Sequence, residues 1–247
     1  MESLPYSPSF VLTMREVDPK IRNLKDFCFL PGFQKPTVAV LFDHSPTWTG
    51  LLTHRKDSFA VYLFTLDLSA SLDGATLGSA AALLDDGNMR SAHPVVTTSS
   101  QLPYDCLYML PCPQSLGGVL VVCMSAILHV DQSGRVVVTA LNRWFKTTSA
   151  IEPESVLDVP GLADLQASQL VFTTDTDAVL SLSNGDLYRL RCHMDGRSVE
   201  GFRLERIDQL TAGSDEMRAA TGPPPSCLAI PSYAADQASA AKPDMLF

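Results

Sequence analysis

The residue types in this chain that most readily do chemistry are its five histidines and six cysteines, and their spacing decides which reactions are open. His44, His54, His93, His129 and His193 are scattered over separate segments, and no H-E-x-x-H pair occurs. Cys28, Cys106, Cys112, Cys123, Cys192 and Cys227 sit mostly inside apolar runs without a C-x-x-C step. That pattern predicts buried free thiols in a reducing compartment, not a disulfide frame or a zinc site. Cys192-His193 is the one adjacent pair and could donate two metal ligands. No second pair completes a set of four, so the favoured reading is a strand end entering a Met194-Asp195-Gly196 turn. Asp85-Asp86 lacks further oxygen ligands at alternating positions and reads as a solvated loop. Asp175 and Asp177 bracket Thr176 and read as a turn. The G-x-S-x-G, G-x-x-x-x-G-K-[ST] and G-x-G-x-x-G motifs are all missing. No residue is therefore assigned a catalytic, cofactor-binding or metal-ligating role, and no cofactor is expected.

Two aromatic positions carry a binding reading instead. Trp48, in Pro46-Thr47-Trp48-Thr49-Gly50, is either an exposed binding anchor or a ring packed over the end of its own sheet. The second is favoured, with Gly50 permitting the bend. Arg143 and Lys146 flank Trp144-Phe145 in the one aromatic-plus-basic cluster, and two charges are too few for a nucleic-acid groove. The whole-chain balance agrees: 18 basic against 27 acidic residues leave a charge of −9. Such a chain exerts no net pull on phosphates, so RNA contact is expected only indirectly.

The elements that must hold these residues are strands. Of the 247 residues, 46% are apolar and 18% charged, enough to bury a core and too apolar for general disorder. Short β-rich runs recur at 27–30, 37–42, 59–68, 94–98, 106–110, 119–124, 126–130, 135–141, 169–173, 178–182, 187–192 and 199–207. Helical periodicity is nearly absent, apart from a turn's worth at 80–84. Val119-Leu120-Val121-Val122 is apolar on both faces, which places it inside a stack of sheets. Asn184-Gly185 predicts a two-residue hairpin with positive φ at both positions, and Gly134 suits the left-handed position of a second hairpin.

Twelve strands at four per blade make about three blades of a β-propeller, each covered by its neighbours. The expected organisation is a lead-in over 1–16, a partial propeller over 17–233 with an inserted loop at 69–93, and a disordered tail over 234–247. A second irregular stretch is expected at 147–164. Three blades are fewer than close a ring, so the first and last are each expected to leave an apolar face uncovered. Neither a signal segment at the N-terminus nor an apolar run of bilayer length occurs, so the expected setting is soluble and intracellular.

A longer set of motifs carries a resemblance. It comprises Ile21-x-x-Leu24-x-Asp26-x-x-Phe29-Leu30-x-Gly32, Pro36-Thr37-x-x-x-Leu41-Phe42, Thr47-Trp48-x-Gly50 and Arg55-x-Asp57. It continues with Leu102-Pro103-x-Asp105-Cys106, Pro113-x-x-x-Gly117-Gly118-Val119, Leu128-His129-x-Asp131-Gln132-Ser133, Ala140-Leu141-Asn142 and Ser183-Asn184-Gly185-Asp186-Leu187-Tyr188. From about 17 to about 233 the chain resembles the first β-propeller of the largest subunit of the cleavage and polyadenylation specificity factor. That triple-propeller family also includes the large damaged-DNA-binding protein and a spliceosomal scaffold subunit. The resemblance implies a fragment of a non-catalytic nuclear scaffold in pre-mRNA 3′-end processing, holding WD-repeat and zinc-finger subunits of the polyadenylation complex. The competing implication is an adaptor of the damaged-DNA-binding type in a ubiquitin ligase or DNA-repair complex.

Overall fold

A computed structural model of the chain describes residues 12–207 apart from 49, 67–93, 160–161, 163 and 197. The expected inserted loop at 69–93 and tail at 234–247, with Asp85-Asp86, His93 and Cys227, lie outside the described residues.

The chain folds as three stacked β-sheets, each a meander in sequence order. The first contains β1 (Leu24–Leu30), β2 (Thr37–Asp43), β3 (Asp57–Thr65) and β4 (Val95–Pro103). The second contains β5 (Cys106–Pro111), β6 (Val119–Cys123), β7 (Ala126–Val130), β8 (Val136–Ala140) and β9 (Ser155–Val156). The third contains β10 (Gln169–Phe172), β11 (Asp177–Ser181), β12 (Leu187–Asp195) and β13 (Ser198–Arg206). All twelve anticipated runs form strands, in three blades of a partial propeller. The thirteenth strand, β9, lies in the stretch read as irregular and pairs parallel to β8. Two one-turn helices, α1 (Met14–Val17) and α2 (Phe145–Thr148), were not legible either. Four residues are too few to display a helical period.

Both faces of the middle sheet are covered. Val119, Val121, Cys123, Ala126, Leu128 and Val130 pack against Ala39, Leu41, Val61 and Leu63 of the first sheet. Their alternating neighbours Leu120, Val122 and Ile127 pack against Leu180, Leu190 and Phe202 of the third. This two-sided burial is what the unbroken apolar run at 119–122 demanded. At about 25 cal/mol per Å² of apolar surface it is the main force holding the stack together. Polar bonds add register between sheets. Met109 N donates to Asp26 Oδ2 at 2.7 Å, Ser99 Oγ to the Gly134 carbonyl at 3.0 Å, and Phe202 N to Thr139 Oγ1 at 3.2 Å.

The outer faces differ from the expected pair of bare apolar surfaces. On the first sheet, residues 12–21 lay Val17 and Ile21 over Val38, Val40, Phe42 and Tyr62. Phe27 and Phe29 of β1 stay exposed beside this cover. The third sheet is largely polar outside: Arg189, Arg191 and His193 of β12 alternate with buried Tyr188, Leu190 and Cys192, although Val171 and Val179 share the outer row with Arg189. Arg203 and Glu205 of β13 extend the polar face. The period of two puts charge on the solvent side, so this sheet is two-faced.

Two turns share one geometry. Gly134 N donates to the Asp131 carbonyl at 3.1 Å and Asp131 N to the Arg135 carbonyl at 3.0 Å, with φ +90° at Gly134. Gly185 N donates to the Leu182 carbonyl at 3.0 Å and Leu182 N to the Asp186 carbonyl at 2.9 Å, with φ +88° at Gly185. Each is a three-residue loop, a type I turn closed by a left-handed glycine. Asn184 therefore has negative φ, which corrects the expectation of a two-residue turn. Its side chain accepts from Asp186 N at 2.9 Å and stabilises the wider loop.

Candidate functional site

Strand alternation separates the one Cys-His pair. Cys192 points into the core and His193 to solvent, so the two side chains cannot share a ligand, and β12 runs on past them to Asp195. His129 is buried in β7, its Nε2 2.9 Å from the Gly117 carbonyl, and burial holds its pKa below the usual value. That neutral ring buttresses a tight passage. Gly117 and Gly118 have φ +64° and +72°, and a Cβ on Gly118 would sit 2.2 Å from the Val130 carbonyl oxygen. Only glycine fits there.

The five cysteines among the described residues are free, as expected. Burial pushes Cys28 and Cys192 up to about 12, and Cys112 and Cys123 also rise, so none of these four is poised as a nucleophile. Cys106 and Cys123 face each other across β5 and β6 with 3.5 Å between sulfurs, and the Cys106 thiol donates to the Pro103 carbonyl at 3.0 Å. Among the described residues no three His, Cys, Asp or Glu side chains converge as a metal site. Asp175 sits in the expected turn, and Asp177 opens β11 and pairs with Arg191 at 3.0 Å.

Two carboxylates from separate sequence motifs meet where the first and second sheets join. Asp57 opens β3 and accepts from Ser149 Oγ at 2.6 Å and Ala150 N at 3.0 Å. Asp105 lies in the turn between β4 and β5, 6% exposed, with no hydrogen bond to either carboxylate oxygen. Burial raises its pKa to about 6 and the Asp57 charge pushes the same way. Its own main-chain N–H and the nearby Thr148 hydroxyl pull it down without reaching hydrogen-bond geometry. This is a structural junction carrying an electrostatic cost.

The surface positions read differently from the core. The Trp48 ring lies over Gly50, whose added Cβ would come 3.2 Å from Nε1, yet it is 64% exposed. The packed reading favoured from sequence is thereby overturned: Gly50 clears the ring instead of bending the chain under it. Trp144 is equally exposed, while Phe145 beside it is fully buried. Arg143 and Lys146 pair with Asp158 at 3.3 Å and Glu152 at 3.0 Å, both in solvent-exposed ion pairs.

No family model matches the chain. Curated proteins do match it. It is 28% identical over 214 residues to protein CFT1 of Coccidioides immitis and 30% identical over 209 residues to protein cft1 of Schizosaccharomyces pombe. It is 26% identical over 205 residues to cleavage and polyadenylation specificity factor subunit 1 of Drosophila melanogaster. These alignments cover 87%, 83% and 82% of this chain but 14%, 13% and 12% of the relatives, so the chain spans about one-seventh of their length or less. With its all-β blades and the motifs at 21–57, 102–142 and 183–188, the chain belongs over this stretch to the family of CFT1 and cleavage and polyadenylation specificity factor subunit 1.

Proposed function

We propose that the chain is a non-catalytic scaffold segment of the nuclear machinery that cleaves and polyadenylates pre-mRNA, and that it acts by protein–protein contact. The observation that carries this reading is the match of more than four-fifths of the chain to proteins bearing those names. The geometry supports it: neutral buried thiols, a histidine tied to a carbonyl and a seam of carboxylates suit packing better than turnover. Its partners are the WD-repeat and zinc-finger subunits of that complex, with RNA reached through them. The proposal keeps the division into a lead-in over 1–16, a partial propeller over 17–233 and a tail over 234–247. The test is immunoprecipitation of the tagged chain from nuclear extract. Recovery of the polyadenylation subunits is expected; a cullin in their place would establish the ubiquitin-ligase adaptor and overturn the scaffold.

A further inference from the structure

A cleft opens on the outer face of the first sheet, on the side of its edge strand β4. Strand alternation builds it. Thr97 and Ser99 of β4 point inward and donate to the Gln132 and Gly134 carbonyls of the second sheet. Thr98 and Ser100 face the other way, opposite Tyr62 and Ala60 of β3, and make no hydrogen bond among the described residues. Val17 and Ile21 cover the apolar centre of this face, over Val38, Val40 and Phe42. Lys20 and Arg22, on either side of buried Ile21, line the cleft with His44, which follows β2. The enclosed volume is about 570 Å³. That lies within the roughly 300–1,000 Å³ of small-molecule sites.

Tyr62 is the buried polar group of this cleft. The residue is 7% exposed, its ring meets Phe42 edge-on with 4.9 Å between centroids, and its hydroxyl has no hydrogen-bond partner among the described residues. Burial, and then the Asp18 charge, raise its pKa above the ordinary tyrosine value, so the hydroxyl stays protonated and able to donate. The cations here are not neutralised. Lys20, Arg22 and His44 have no ion pair among the described residues, and no described carboxylate lines the cleft. Asp18 stands beside Tyr62 and accepts from Lys20 N at 2.7 Å. Asp43 precedes His44 but pairs in register with Phe59 of the inward row, and it accepts from Ser45 N at 3.1 Å. Two permanent positive charges therefore stand against the one of Asp18.

We propose that this cleft binds a small phosphate monoester. The dianion presents three terminal oxygens, and the lining offers a guanidinium, an ammonium, an imidazole and three hydroxyls to meet them. A carboxylate, with two oxygens and a single charge, would leave most of these donors unmet. Arg22 suits the planar, bidentate grip that phosphate accepts. Pro19 and Ala60 give the carbon skeleton of the ester an apolar contact. A phosphodiester strand needs cations along a longer track than two side chains provide.

The site does not depend on the scaffold reading, and its test is separate from the immunoprecipitation. The whole chain is titrated by isothermal calorimetry with ribose 5-phosphate, adenosine 5′-monophosphate and O-phosphoserine. Ribose, adenosine, serine and inorganic phosphate serve as the matched controls. At least one ester is expected to bind tenfold or more tightly than its unphosphorylated parent and than inorganic phosphate. Lys20→Glu and Arg22→Glu should each weaken that ester at least fivefold, and Tyr62→Phe at least threefold, with thermal midpoints unchanged. Thr98→Val combined with Ser100→Ala removes the two outward hydroxyls of β4 and should also cost at least threefold, which keeps the test open if Tyr62→Phe disturbs the fold. Esters that bind no better than their parents or inorganic phosphate, or binding that survives the double Lys20→Glu, Arg22→Glu variant, would overturn the proposal. So would the absence of heat from every ester. A phosphoserine nonapeptide and an oligouridylate are titrated alongside, and tighter binding of either than of every small ester would overturn the small-molecule assignment.

Discussion

Asp105 offers the sharpest perturbation, because its environment penalises the charge without supplying a partner. Its pKa is raised from 3.8 to about 6, roughly two units, each worth about 1.36 kcal/mol. The charged carboxylate therefore costs the folded state about 3 kcal/mol at neutral pH. Between pH 3.8 and 6 the native state binds the proton more tightly than the unfolded chain, so stability falls as pH rises through that window. The cost is fully present above about pH 6 and absent below the unfolded value. Asp105→Asn removes the charge and keeps the volume, but it leaves a buried amide unbonded at a penalty of about 1–3 kcal/mol. The variant should thus gain up to about 2 kcal/mol over the parent at pH 7.5 and lose to it at pH 4. The measurement is urea unfolding of both proteins across pH 4.0–7.5, taking the difference at each pH. His129 works in the opposite sense: burial lowers its pKa, so its contribution to stability falls as pH drops below about 6.5. The difference cancels it, since it is present in both proteins and sits apart from Asp105. A difference that does not change with pH would refute the reasoning, for it would mean that Asp105 is solvated or bonded in solution.

Other substitutions probe backbone and surface. Gly118→Ala should destabilise by about 2 kcal/mol or more in the same unfolding experiment, because a Cβ would meet the Val130 backbone at 2.2 Å. Gly185→Val should lower stability by about 1 kcal/mol or more, whereas Asn184→Gly should cost roughly 0.5–1 kcal/mol by adding backbone freedom at a negative φ. A stabilised Asn184→Gly variant would instead place that residue at positive φ. Phe27 and Phe29 are each 57% exposed on edge strand β1, so the chain should self-associate with concentration in sedimentation. Phe27→Ser with Phe29→Ser should restore a monomer with little change in melting midpoint.

The strands were legible because their signals are local. Period-two alternation in 187–192, doubly apolar runs such as 119–122, and glycines at 134 and 185 act within a few residues, and the structure places all of them as strands and turns. Two residues of β9 or four of α2 carry no period, and β9 is defined only by its pairing to β8. The turn type at Asn184-Gly185 was decided by one hydrogen bond, from Gly185 N to the Leu182 carbonyl, which composition cannot distinguish from a shorter loop. Which face of a sheet meets solvent was half visible. Arg189, Arg191 and His193 announce a polar side, but only the stack reveals that it is the outermost one. The candidate surfaces were legible as residue types and not as places. Trp48 and Trp144 stand 96 positions apart, and Asp57 and Asp105 stand 48 apart. Their neighbours come from how blades stack, through long-range burial and cross-sheet bonds that leave no periodic trace in the chain. Composition and motif spacing settled the strand content and the family. Burial, exposure and proximity, and with them the cost at Asp105 and the exposure of both tryptophans, belong to the tertiary structure, because each depends on contacts between sheets far apart in sequence.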